Sequence, residues 1–96
     1  MGFLTKQSDV ATALGKLTSY ASVMDLRIII VIYNNECQVL FDKALLKRPD
    51  GTLQTVRGTG RTIEAASQSF IGFIRGKELQ VGSPPGVTTI SVPTTL

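Results

Sequence analysis

Lys43, Lys47, Arg48, Arg57 and Arg61 lie close together in the middle of a 96-residue chain of formal net charge +3. Residues 43–77 hold seven basic side chains against two acidic ones, a net of +5, and the remainder of the chain nets −2. Clustered cations raise the local potential and steer association, so this asymmetry points to an anionic partner: nucleic acid, or a complex that handles it. The competing reading is an ordinary solvated face.

The stretch Gly58-Thr59-Gly60-Arg61-Thr62 runs from a strand-like segment into a helix start, where free amides and the helix dipole favour an anion. It lacks the GxxxxGK[ST] pattern, and Ile63 stands where a dinucleotide fingerprint needs its third glycine. A glycine hinge followed by a threonine cap accounts for it. Arg61 beside those amides can still hold a phosphate or a carboxylate.

Catalytic chemistry leaves little trace. The chain has no histidine, which removes the commonest general base and a common zinc ligand. Asp42, Asp50 and Glu64 each have a structural place in a strand end, a turn or a first helical turn. Serines and threonines accompany no activating base in a known arrangement. The expectation is a binding protein, not an enzyme, with no cofactor and no metal. The single Cys37 reads as a small core residue. Tyr33 and Phe41, near the ends of adjoining strands, could stack bases, but core packing is the commoner use.

Ninety-six residues, 43% hydrophobic and 18% charged, predict one globular domain over 1–96, with 1–5 and 93–96 as frayed ends. No apolar run approaches the ~20 residues of a membrane span, and no secretory signal is evident. A cytoplasmic address is the expectation.

Apolar residues from Val10 to Met24 recur at helical steps, predicting an amphipathic helix over 6–24 capped by Thr5 or Ser8. Leu26 to Tyr33 is β-branched without polar alternation, which predicts a central strand buried on both faces. Asn34-Asn35 supplies a tight hairpin turn, and Glu36 to Lys43 returns with alternating polarity. Ala44-Leu45-Leu46 prolongs that run up to the turn Lys47-Arg48-Pro49-Asp50-Gly51, and Thr52 to Arg57 reads as a third strand. Gly58-Thr59-Gly60 then breaks the strand, Thr62 caps a second helix with stripe Ile63, Ala66, Phe70, Phe73 and Ile74, and Gly76 stops it. Two short strands follow, Leu79 to Val81 and Val87 to Val92, around Gly82-Ser83-Pro84-Pro85-Gly86.

The order helix, three-strand meander, helix resembles the double-stranded RNA-binding domain, and the segment Val56 to Ala66 looks like that family's passage from third strand to second helix. That family grips phosphates with a Lys-Lys-x-Ala-Lys run where this chain reads Thr62-Ile63-Glu64-Ala65-Ala66-Ser67. The resemblance therefore implies a phosphate contact for Arg61 alone. The C-terminal half, through Gly58 to Ala66, Ile74 to Leu79 and Ile90 to Pro93, looks like small uncharacterised proteins of tailed bacteriophages. This likeness implies an accessory protein of the host bacterial cytoplasm that modulates host machinery.

The sequence thus predicts an α+β domain in the order α-β-β-β-α, with a small antiparallel sheet and a C-terminal strand pair. Its expected role is binding nucleic acid, or a nucleic-acid-handling host complex, through Lys43, Lys47, Arg48, Arg57 and Arg61. The alternative is a protein-protein module: an inhibitor of a host defence factor, or a self-assembling unit using an edge strand or the C-terminal tail.

Overall fold

A computed structural model describes residues 12–96. Helix α1 (Thr12–Met24) leads through a left-handed Asp25 into strand β1 (Ile28–Tyr33). Asn34 and Asn35, at φ 52° and 61°, make the expected tight turn into β2 (Glu36–Phe41). After Asp42 and Lys43 come β3 (Ala44–Lys47), β4 (Leu53–Gln54) and β5 (Gly58–Gly60). Helix α2 (Ile63–Ile74) and the pair β6 (Glu78–Val81) and β7 (Thr88–Ser91) complete the chain.

The domain is α+β, with two antiparallel sheets in the orders β1-β2-β5 and β4-β3-β6-β7. The C-terminal strand pair forms as expected, and β6 joins it to β3. The segment Thr52 to Arg57, expected as the third strand of a meander, contributes only Leu53–Gln54, which pairs with β3 in the second sheet. The third strand of the first sheet is instead Gly58–Gly60, on the far side of β2. The reason is steric. An added Cβ on Gly58 would lie 2.1 Å from the Ala66 carbonyl oxygen and 2.4 Å from the Phe70 amide. Only a strand without side chains on that face can run directly beneath α2.

The core lies between the helices and the sheets. Leu17 of α1, Phe70 and Ile74 of α2, Val39 and Phe41 of β2, and Leu79 of β6 are nearly inaccessible to solvent. Phe41 meets Phe70 edge to face, with ring centroids 4.9 Å apart. Cys37 is buried as expected. The stripe of α2 is rotated slightly from the expected one, with Ile71 and Ser67 buried and Phe73 exposed. Ser67 satisfies its hydroxyl on the Ile63 carbonyl at 2.7 Å.

Both ends of α2 follow the sequence reading. Thr62 Oγ1 accepts from the Ala65 amide at 3.0 Å, and Gly76 at φ 71° follows the last turn. The start of α1 is held differently. The Glu64 carboxylate accepts from the amides of Ala13 and Leu14, at 2.9 and 3.2 Å. Glu64 thus caps the helix beside its own, and the expected caps Thr5 and Ser8 lie outside the described residues. Replacing Glu64 by alanine orphans two amides, for an expected loss of about 1–3 kcal/mol. Urea unfolding checks the loss, and faster exchange of the Ala13 and Leu14 amides localises it.

Candidate functional site

Two surfaces are candidates for binding, and both are built on the first sheet. The strand expected to be central, Leu26 to Tyr33, is an edge. Its strand part, β1, pairs among the described residues only with β2, from Ile28 opposite Phe41 to Tyr33 opposite Glu36. Ile28, Ile30 and Ile32 share the helix side with Phe41, Val39 and Cys37, while Ile29, Val31 and Tyr33 share the open side with Leu40, Gln38 and Glu36. The two described helices cover β2 and β5 and stop short of β1. Ile30, Val31, Ile32 and Tyr33 are therefore 39%, 39%, 66% and 59% exposed. The expectation of two-sided burial fails because the covering layer is narrower than the sheet.

The backbone of β1 is equally open. Asp42 donates its amide to the Arg27 carbonyl at 2.8 Å, which fixes the phase of the ladder. Ile29, Val31 and Tyr33 turn their N–H and C=O groups toward β2, and Ile28, Ile30 and Ile32 turn theirs outward. Among the described residues no strand receives them. The other sheet edges carry protection of the usual kinds. β4 has two residues and β5 three, and the polar β7 lies between Pro85 and Pro93. β1 has six residues and no charge, proline or glycine.

The second surface is the open face of the same sheet. Arg57, just before β5, donates from Nη1 to Gln38 Oε1 at 3.1 Å, and Thr59 stands opposite Gln38. Arg61 follows β5 with an exposed side chain, and its carbonyl accepts from the buried Cys37 thiol at 3.8 Å. Tyr33 is the exposed aromatic of this face, whereas Phe41 belongs to the core.

The other expected cations stand elsewhere. Lys43 occupies the corner between the sheets with φ 55°. Lys47 ends β3, opposite Leu53 and Glu78. Arg48 donates its Nε to Gln54 Oε1 and its amide to the Thr52 carbonyl at 2.8 Å. Lys47 and Arg48 line a groove of about 370 Å³ with Lys77 and Glu78, so Lys77 joins this pair. In the neighbouring turn Asp50 accepts from the hydroxyl and amide of Thr52, at 2.6 and 2.9 Å. Those bonds hold its carboxyl below the usual range. The five cations are thus divided between two sheets and the corner joining them.

The comparisons add no relative. No family model, curated protein or solved structure matches this chain.

A wider groove of about 610 Å³ runs along α1 beside the chain end, lined by Lys16, Ser19, Tyr20, Val23 and Leu96 among others. The Tyr20 hydroxyl is buried there without a hydrogen-bond partner among the described residues, and burial raises its pKa. No group of three or more His, Cys, Asp or Glu side chains comes together as a metal site among the described residues. No described helix is long and apolar enough to cross a membrane.

Proposed function

We propose that this protein is an interaction module that binds by strand addition, accepting an extended segment along the free edge of β1. The observation that carries this reading is an uncharged six-residue strand exposed on both faces at its end, with its outward amides and carbonyls unpaired among the described residues. Main-chain hydrogen bonds supply affinity in such a mode, and the alternating side chains supply selectivity. The apolar side chains make an acidic or basic peptide a poor match. An accessory protein acting on host machinery would use this kind of surface.

Hydrogen exchange in dilute solution tests it. The amides of Ile30 and Ile32 should exchange quickly while those of Ile29 and Val31, bonded to β2, are protected. Slow exchange of all four in the unbound monomer would mean that the chain covers its own edge, and the reading fails.

A second reading, nucleic-acid binding, is favoured by Arg57, Gln38, Thr59 and Tyr33 sharing the open face, with Arg61 beside them. Stacking on Tyr33 and phosphate contacts from the arginines would suit a single strand. Binding of a fluorescent oligonucleotide should weaken with salt by roughly 0.7 logarithmic units of slope per phosphate contacted. Replacing Arg57 and Arg61 by alanine should lower that slope by about 1.4. No binding at low salt removes this reading, and an unchanged slope removes the two arginines from it.

A further inference from the structure

We infer that the segment received by β1 is β1 of a second copy, paired antiparallel about a two-fold axis through Ile30. The inference rests on the strand-addition reading and names its partner.

The symmetry of the strand selects a copy of itself. The outward-facing residues are Ile28, Ile30 and Ile32, and they are symmetric about Ile30. Placing the axis there puts Ile30 opposite the partner subunit's Ile30, and Ile28 opposite the partner subunit's Ile32. In antiparallel pairing each of these exchanges both of its backbone hydrogen bonds, so every outward group of the three residues finds a partner. Moving the axis to Val31 would pair Ile28 with the turn residue Asn34, whose φ of 52° is not that of a strand.

The side chains agree with this register. Ile29 meets the partner subunit's Val31, so β-branched residues face one another along the seam, the pairing that stabilises sheets. Arg27, exposed on the open side, falls opposite the partner subunit's Tyr33, where a guanidinium can rest on the ring.

The area is of the right order. At the observed exposures, Ile30 to Tyr33 present roughly 400 Å² per copy, within the 300–600 Å² range of the largest apolar patch on a typical monomer. That is about half of the ~800 Å² per partner in a standard interface. The strand backbone and the flanking Arg27 and Ile28 add to it, which fits a small dimer of modest affinity. The product is a continuous six-stranded sheet in the order β5-β2-β1-β1-β2-β5, with both open faces on one side.

Light scattering on the full chain, across a concentration series, should give a mass approaching twice the 10.3 kDa of one chain. Ile32→Lys, at a site 66% exposed, should return it to the monomer and melt as the parent does at dilutions where the parent too is monomeric. Register is read by oxidation. In a Cys37→Ala background, Ile30→Cys should cross-link to itself, because Cα atoms about 5.5 Å apart in a hydrogen-bonded pair suit a disulfide. Tyr33→Cys should not, because the two copies of that residue lie about 20 Å apart along the strands.

A dimer in which Ile30→Cys fails to cross-link, or one that survives Ile32→Lys, overturns the inference. A monomer at all concentrations overturns it too, and exchange then separates the causes. Fast Ile30 and Ile32 amides mean that the edge is open to a different strand, and the broader reading stands. Slow amides mean that another segment of this chain, residues 1–11 included, covers the edge, and both readings fall.

Discussion

Gly58→Ala should cost about 3 kcal/mol or more, a large share of the 5–15 kcal/mol that holds a domain of this kind together. The cost is steric. The new methyl would stand 2.1 Å from the carbonyl oxygen of Ala66 and 2.4 Å from the amide of Phe70, both backbone atoms of α2 that no rotamer change can move. Relief requires the helix to lift away from β5 and β2, which opens the core around Phe70. Gly60→Ala is expected to cost less, since its nearest neighbours are at 2.8 Å and one of them is the Ala65 methyl. Gly15→Ala and Gly72→Ala supply the control. Both sites lie in helices with nothing within 4 Å of an added methyl, so each should gain about 0.5–1 kcal/mol. Thermal unfolding followed by circular dichroism ranks the four variants. A Gly58→Ala protein within 1 kcal/mol of the parent would mean that α2 does not rest on this strand.

Phe41→Ala should lose about 3–5 kcal/mol, the range for removing a fully buried aromatic. Phe41 is 2% exposed and touches both helices, meeting Phe70 of α2 edge to face and Tyr20 of α1 at a centroid distance of 6.4 Å. The cavity therefore opens where three elements meet, and none can collapse into it without leaving another. Phe41→Leu retains most of the volume and should lose about half as much. Equal losses for the two substitutions, measured by urea unfolding, would place the ring outside the core.

Local chemistry made several elements legible before the structure. Thr62, Gly76 and the Asn34-Asn35 pair act through their nearest backbone neighbours, so their residue types were enough to place a cap, a helix stop and a turn. Cys37 was legible because a small apolar residue in an alternating strand has one face to occupy. β1 was misread as central because apolar residues without alternation look the same whether a helix layer or a partner covers them. The width of the covering layer is a tertiary property, absent from the strand's own pattern. Gly58 and Gly60 were read as a break because glycine ordinarily weakens a strand. Their spacing of two, which puts both on one face, together with Ala65 and Ala66 on the facing helix, was the available sign of close contact.

The candidate cations were harder to place. Lys43, Lys47, Arg48, Arg57 and Arg61 are neighbours in sequence, but the corner at Asp42 and Lys43 carries the chain from one sheet to the other. Their proximity along the chain is therefore shared out between two sheets. Arg57 and Arg61 stay with the first sheet, and Lys47 and Arg48 go with Lys77 on the second.

The cap on α1 has a bearing on the order of assembly. Ala13 and Leu14 donate to a carboxylate fifty-one and fifty positions further along the chain, so these amides of α1 stay without that acceptor until α2 has formed and docked. A nascent chain ending before Glu64 carries those amides without that acceptor and has no α2 to cover Leu17. Such a contact adds a loop-closure cost to folding and makes the halves of the domain appear together. A truncated chain ending at residue 61 should accordingly show little helical signal, instead of retaining α1 as an autonomous unit.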